Sequence, residues 1–407
     1  MERPFARINV TEKAARALRS GHPWVYAGEV LTEADPCPDG AVADVYSPKD
    51  RWLGAGFYNS RSKIRVRVIS RNTNDRMDEA FFARRIRYAL EYRRTVMGRD
   101  FDNCRLIFGE ADGFPGWTLD RFGDVLVSEV LSLGIEQRRD MLYGLVRRTL
   151  SEMGAGVRVI YERNESAIRQ KEGMACGKGP YLAPELDSKP DGHIEICENG
   201  IFYDVDYING QKTGFFLDQK YNRAAAARLA AGRRVLDCCT HTGAFALNCA
   251  AAGAESVTAL DVSADALAQA KRNAERNGLA DRITFLQADM FEYLTHLAEA
   301  RERPFDYIIL DPPAFTKSAA TVDAARRGYR EINRRAMQLL PRGGYLATCS
   351  CSQFMTAELF RGMLIDAARD ASVSLRQIEE RRQSPDHPIL WGVPETEYLK
   401  FFLFQIV

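Results

Sequence analysis

The chain has 407 residues, 46% of them apolar and 27% charged, with a net charge of only +1. It is long enough for about two or three domains, and its balance excludes a disordered or collagen-like class. No apolar run approaches the roughly eighteen residues of a membrane span. The start Met1-Glu2-Arg3-Pro4 lacks the apolar centre of a secretory signal, and none of the nine cysteines forms a zinc-type CxxC pair. The expectation is a cytoplasmic protein with reduced thiols, no membrane association and no metal.

Residues 1–72 read as short strands and turns, with strands predicted at 40–46, 52–58 and 62–69. The third alternates strictly, Ile64, Val66 and Val68 against Lys63, Arg65 and Arg67. Period two means a half-buried strand with one basic face, and a small β-barrel is the natural architecture. Residues 61–99 carry twelve Lys and Arg against four Asp and Glu. That block is either a footprint for a polyanion or a solvated helix face.

A helix is predicted over 78–96, with Phe81, Phe82, Ile86, Ala89 and Leu90 as its apolar stripe. Strands at 104–108, 124–130 and 157–161 and a helix at 136–152 complete a central α+β region, 73–190. Residues 173–192, rich in Gly, Pro and charge, read as a linker or long loop. From about residue 233 strands and helices alternate. The strands are 234–238, 256–261, 283–287, 307–311 and 345–350, which argues a doubly wound parallel sheet. Two further strands, near 373–379 and 398–407, have no helix between them and suggest an antiparallel hairpin at the sheet edge. Such an edge also admits a homodimer.

Carboxyl ends of parallel strands are where ligands and catalytic groups collect. Asp237 ends the first strand and runs through Cys238-Cys239-Thr240-His241-Thr242 to Gly243, a position suited to a positive φ or to close approach of a ligand. Asp261 ends the second, placed to accept from ribose hydroxyls, and Asp289 follows the third, placed to meet an adenine amino group. With no Walker lysine, this set suits an adenosine ligand without phosphates. The alternative is that Asp237 and Asp289 merely cap the next helices. Asp311-Pro312-Pro313 ends the fourth strand and Cys351 follows the fifth. A carboxylate and a thiol on neighbouring strand ends suit covalent chemistry on the carbon of a planar base.

With these residues in place the chain resembles the class I S-adenosylmethionine-dependent methyltransferases. More narrowly it resembles the bacterial 23S ribosomal RNA cytosine-C5 methyltransferases with an N-terminal PUA domain. The matching segments run nearly end to end: Gly21-His22-Pro23-Trp24-Val25-Tyr26, Gly109-Glu110-Ala111-Asp112-Gly113-Phe114-Pro115-Gly116, Gly210 to Gln219, Asp311-Pro312-Pro313-Ala314-Phe315, Ser350-Cys351-Ser352 and Asp386-His387-Pro388. The resemblance implies a PUA-like RNA-binding domain over 1–72, a central RNA-binding-like α+β domain over 73–190, and a Rossmann-like catalytic domain over 191–407. It further implies that Lys212, Thr213, Phe215 and Asp218 lie beside S-adenosylmethionine, joined by Arg223.

On this reading the Cys351 thiolate adds to C6 of cytosine and C5 takes the methyl group, while Asp311 holds the N3 and N4 edge. Cys349 shares the parity of Cys351, but Cys351 lies farther out and falls seven residues after Gly344, as the resemblance requires. Lys63, Arg65, Arg67, Glu110, Pro312 and Phe315 are the expected contacts to large-subunit ribosomal RNA; Glu110, Asp112 and Phe114 form either a loop reaching the base or a plain turn. Two departures stand out. Pro313 replaces the cysteine that helps release product in related enzymes, and Cys238-Cys239 replaces bulkier residues. Besides a small-molecule methyltransferase, which would leave the basic strand and the extra domains without a purpose, two rivals remain at this point. One is a guanine or exocyclic-amine methyltransferase that stacks its base on Phe315 without a cysteine. The other is an RNA-binding protein without catalysis.

Overall fold

The computed structural model describes residues 4–33 and 37–407. The start Met1-Glu2-Arg3, read above as lacking a signal, lies outside them. The chain forms two compact units: unit 1 takes Met1–Ile194, Val205–Leu217 and Pro385–Thr396, and unit 2 takes Glu195–Asp204, Asp218–Ser384 and Glu397–Val407. Among the described residues no helix is long and apolar enough to cross a membrane.

Unit 1 opens with a six-stranded sheet. In spatial order its strands are Trp24–Tyr26, Ile64–Ser70, Trp52–Tyr58, Val42–Tyr46, Ala6–Val10 and Val30–Glu33. The Thr11 hydroxyl caps the helix Glu12–Arg19 by accepting from the Ala14 amide. Ile8, Val10, Leu18, Val25, Val45, Val66 and Val68 fill the core beneath; the expected half-buried strand with one basic face is corrected here, because Arg67 is buried along with Val66, Val68 and Ile69.

The second sheet of unit 1 has five strands, in the order Gly177–Pro180, Val159–Asn164, Val125–Val130, Trp117–Phe122 and Asn103–Phe108. Helices Glu79–Met97 and Arg139–Glu152 accompany it. Two of these strands differ from the sequence reading. Trp117–Phe122 was absent from it, and Gly177–Pro180 fell inside the expected linker. The latter pairs antiparallel with Val159–Asn164. An edge strand of Gly-Lys-Gly-Pro has one long side chain, Lys178, so it has no side-chain alternation to read.

Unit 2 contains a seven-stranded sheet. Its spatial order is Ile283–Gln287, Ser256–Asp261, Arg234–Cys238, Tyr307–Leu310, Tyr345–Ser350, Lys400–Ile406 and Leu375–Arg381. The first five are parallel, and the last two run antiparallel as expected. The order reverses between Arg234–Cys238 and Tyr307–Leu310, which makes the carboxyl ends of those strands the topological switch point. The core is apolar throughout, including Leu236, Ile308, Leu310, Tyr329, Leu346, Met363 and Phe402.

The terminal pair is not a tight hairpin. Pro385–Thr396, between its strands, belongs to unit 1. A further hairpin, His193–Glu198 with Ile201–Asp206, was missed. Its turn is Asn199-Gly200, both at positive φ (54° and 81°). Asn-Gly between alternating apolar residues is a strong short-range hairpin signal.

Candidate active site

The loop after Arg234–Cys238 is strained. Cys239, His241 and Gly243 all have positive φ, at 62°, 51° and 84°. Non-glycine residues hold such angles only where the surroundings enforce them, and they cluster at functional sites. Here the enforcement is visible. The Asp237 carboxylate is fully buried and accepts from the Thr240 hydroxyl at 2.6 Å and the Ala246 amide at 3.0 Å. Asp261 accepts from the His241 amide at 2.9 Å and the Ser263 amide at 3.0 Å. A Cβ on Gly243 would lie 3.0 Å from Ala270 Cβ and Leu247 Cδ1.

Four carboxylates gather here. Burial pushes the Cys239 thiol up, and Asp261, Asp311, Asp237 and Asp289 all add to that push. Burial raises Asp237 to about 7, against the hydrogen bond from Thr240. Asp289 also caps the helix Met290–Ala300, accepting from the Glu292 amide at 3.1 Å. Capping and ligand binding are therefore compatible there, since a carboxylate has more acceptor sites than one amide uses.

S-adenosylmethionine carries a sulfonium and an ammonium, and its adenosine offers hydroxyl and amino donors. The residues present suit it: Asp237 Oδ1 is buried with no hydrogen-bond partner, the surrounding groups are acceptors, and Gly243 keeps the loop bare of a side chain.

Asp311 follows Tyr307–Leu310 and is held by Gln219, whose Nε2 donates to Oδ1 at 3.0 Å. The Cys349 thiol is also hydrogen-bonded to it. Burial raises Asp311 to about 6; Asp218 adds to this and Arg223 opposes it. Asp218 in turn accepts from the Tyr398 hydroxyl at 2.6 Å. Arg223 is buried and grips Glu198 through two bonds of 2.6 and 2.9 Å.

The two cysteines after Tyr345 differ sharply. Cys349 is fully buried and its thiol is pushed well up by burial and by Asp311. Cys351 is half-buried, just past the strand end. Beside it the Tyr329 and Ser352 hydroxyls lie 3.0 Å apart. Phe315 packs on Tyr329 with ring centroids 4.4 Å apart, tilted by 30°. Pro312 is buried and Pro313 exposed.

The remaining expected contacts fall in unit 1, where most have partners. Lys212 lies over the Phe216 ring, 4.5 Å from its centroid. Thr213 is buried and donates to Asp120, which also binds Arg105 through two bonds. Phe215 is buried. Of the basic strand, only Lys63 is exposed. Arg65 lies 3.5 Å from Glu33. Arg67 is buried between Glu110 and Glu172, at 3.4 and 3.0 Å.

Glu110 also accepts from the Trp24 indole at 2.9 Å. Asp112 is clasped by the fully buried Arg93, which donates to the Asp386 carbonyl as well, and Phe114 is fully buried. The segment read as either a loop reaching the base or a plain turn is thus tightly packed, and Arg67 and Glu110 pair within unit 1. Sequence spacing could not show this, because each partner lies tens of residues away.

These features, a parallel sheet with carboxylates ringing its switch point and a half-buried thiol on a neighbouring strand end, define a class I methyltransferase. Residues 131–405 match the S-adenosylmethionine-dependent methyltransferase family, and residues 8–71 match the PUA-like domain. The chain is 38% identical over 405 residues to ribosomal RNA large subunit methyltransferase I of Klebsiella pneumoniae (strain 342), covering 99% of each. It is 38% identical over 403 residues to the protein of that name from Escherichia coli O127:H6, covering 98% of this chain and 99% of the relative. Among solved structures, a putative methyltransferase from Streptococcus mutans superposes with a TM-score of 0.81 at 22% identity, covering 98% of this chain and 99% of that one. The chain therefore belongs to the S-adenosylmethionine-dependent methyltransferase family, among the ribosomal RNA large subunit methyltransferase I proteins.

Proposed function

We propose that this protein methylates C5 of a cytosine in large-subunit ribosomal RNA, in the cytoplasm, with Cys351 as nucleophile. The RNA class rests on the full-length relatives named for it. The observation that carries the carbon chemistry is the contrast between the two thiols. Cys349 is sealed beneath Asp311, whereas Cys351 stands half-exposed past the strand end.

C5 of cytosine is a weak nucleophile. The Cys351 thiolate forms a bond to C6, and the C5–C6 π electrons move so that C5 becomes nucleophilic. The bound cofactor supplies an electrophilic methyl group on its sulfonium. C5 takes that methyl; its proton then leaves to a base, the C6–S bond breaks, and the thiolate returns. Asp311, raised to about 6, is poised near neutrality. Its protonated oxygen donates to N3 and its other oxygen accepts from the N4 amino group, which draws charge from the ring as sulfur adds. Asp237, Asp261 and Asp289 hold the cofactor, with Gly243 giving it room. Asp218, in the same unit, is assigned beside it on the family resemblance. Pro312 stiffens the turn after Asp311, and Lys63 contributes an RNA contact.

The test is methyl transfer from labelled S-adenosylmethionine to ribosomal RNA lacking its own methylations, with nucleoside analysis, for wild type and Cys351→Ala. The expected result is label in 5-methylcytidine, lost in the variant. Label in a methylated guanine or adenine that survives in Cys351→Ala would assign the chemistry to Asp311 and Phe315 and overturn the proposal.

A further inference from the structure

We infer that Lys400 is a positioning residue for Cys351, holding its sulfur as a thiolate through an ammonium–thiolate pair. The inference rests on Cys351 being the nucleophile. Lys400 opens the strand Lys400–Ile406, and its Cα pairs in register with Ser350, one residue before Cys351. Its side chain is 2% exposed. The ammonium donates to the main-chain carbonyls of Ser352 at 2.6 Å and Tyr398 at 2.7 Å. One of these two carbonyls belongs to the residue immediately after the nucleophile.

A buried ammonium is costly unless an anion answers it. The ionisable groups that act on Lys400 include Cys351, Arg382 and Glu397. Glu397 is bound to Arg382 at 2.5 Å, and Arg382 also binds Glu380 at 2.9 Å. That carboxylate is therefore already answered by a guanidinium. Tyr329 and Cys349 also lie in reach of Cys351, and both are neutral acids with raised pKa. Cys351, flanked by Ser350, in register with Lys400, and by Ser352, whose carbonyl Lys400 grips, is the neighbouring acid whose ionisation would answer the ammonium.

The step balances simply. The Cys351 S–H bond gives its proton to solvent, the sulfur keeps the electron pair, and Nζ keeps its three protons. The thiolate then adds to C6 and is restored on release. Burial lowers Lys400 to about 8 while Cys351 opposes that fall, so the ammonium persists at neutral pH.

The test follows iodoacetamide alkylation of Cys351 against pH in the full chain, resolved from the other cysteines by peptide mass spectrometry. Wild type is compared with Lys400→Met and Lys400→Arg. The expected midpoint for Lys400→Met is higher by about one pH unit or more, with kcat on RNA lowered about tenfold and KM within about threefold. Lys400→Arg should keep a midpoint near that of wild type. An unchanged midpoint in folded Lys400→Met overturns the inference. Should Lys400→Met not fold, 15N NMR of Lys400 in wild type and Cys351→Ala decides: its titration must fall in Cys351→Ala, and an unchanged titration overturns the pairing. Trapping on 5-fluorocytosine-substituted RNA separates the two levels. A wild-type adduct with an unmoved alkylation midpoint defeats only the role of Lys400. No adduct defeats the nucleophile assignment beneath it.

Discussion

At the scale of single residues, burial decides which of several identical groups does chemistry. Cys349 and Cys351 are two positions apart, yet one is fully buried against Asp311 while the other is half-buried past the strand end. Cys349→Ala should therefore still trap 5-fluorocytosine RNA covalently, and Cys351→Ala should not; denaturing gels of the protein–RNA mixture report this directly. Burial also makes Asp237 a stability liability. It is raised to about 7, so the folded chain keeps a proton that the unfolded chain releases above about pH 4. The site's contribution is most favourable below the unfolded value and is lost as pH climbs toward 7. Without cofactor, Asp237→Asn should melt with a smaller difference between about pH 5 and about pH 7.5 than wild type. An equal difference in both proteins would remove Asp237 as its cause.

At the scale of elements, two local structures shape the site. The loop after Arg234–Cys238 needs a bare position at Gly243, with φ at 84° and neighbours 3.0 Å from a built Cβ. Gly243→Ala should lose about 1–3 kcal/mol of stability and bind S-adenosylmethionine more weakly; denaturation and titration calorimetry test both. Undiminished affinity would separate the loop from the cofactor. The second is the junction of the hairpin Ile201–Asp206 and His193–Glu198 with the helix Lys220–Ala227, where Arg223 and Glu198 meet fully buried. Arg223→Met leaves a buried carboxylate without its cation and should cost about 3–5 kcal/mol. Adding Glu198→Leu should recover most of that loss in urea unfolding, because the stranded charge goes with it.

At the scale of the whole molecule, the chain order and the spatial order part company. Lys400–Ile406 comes last in sequence, yet it lies between Tyr345–Ser350 and Leu375–Arg381. A chain ending at Thr396 would leave both neighbours with unpaired main-chain groups and remove the buried Phe401, Phe402 and Leu403 from the core. It should lose cooperative thermal unfolding and cofactor binding together; retention of either would mean that the sheet stands without its last strand.

What the sequence determined by itself is the local part of this architecture. Alternation of strand and helix from residue 233 onward specified the parallel sheet, because each apolar run buries itself by its own period. The residues just beyond those runs, Asp237, Asp261, Asp289 and Asp311, were placed at strand ends by chain continuity alone. The Asn199-Gly200 turn is equally legible, since Asn-Gly between alternating apolar residues marks a hairpin. What only the tertiary structure decided are the pairings between distant residues: Arg67 with Glu172, Thr213 with Asp120, Arg93 with Asp112 and Asp386, and Lys400 with the carbonyl of Ser352. A charged side chain carries no local mark of the partner that will neutralise it. Its burial and its role are set by residues tens to hundreds of positions away, once the sheet has brought them together.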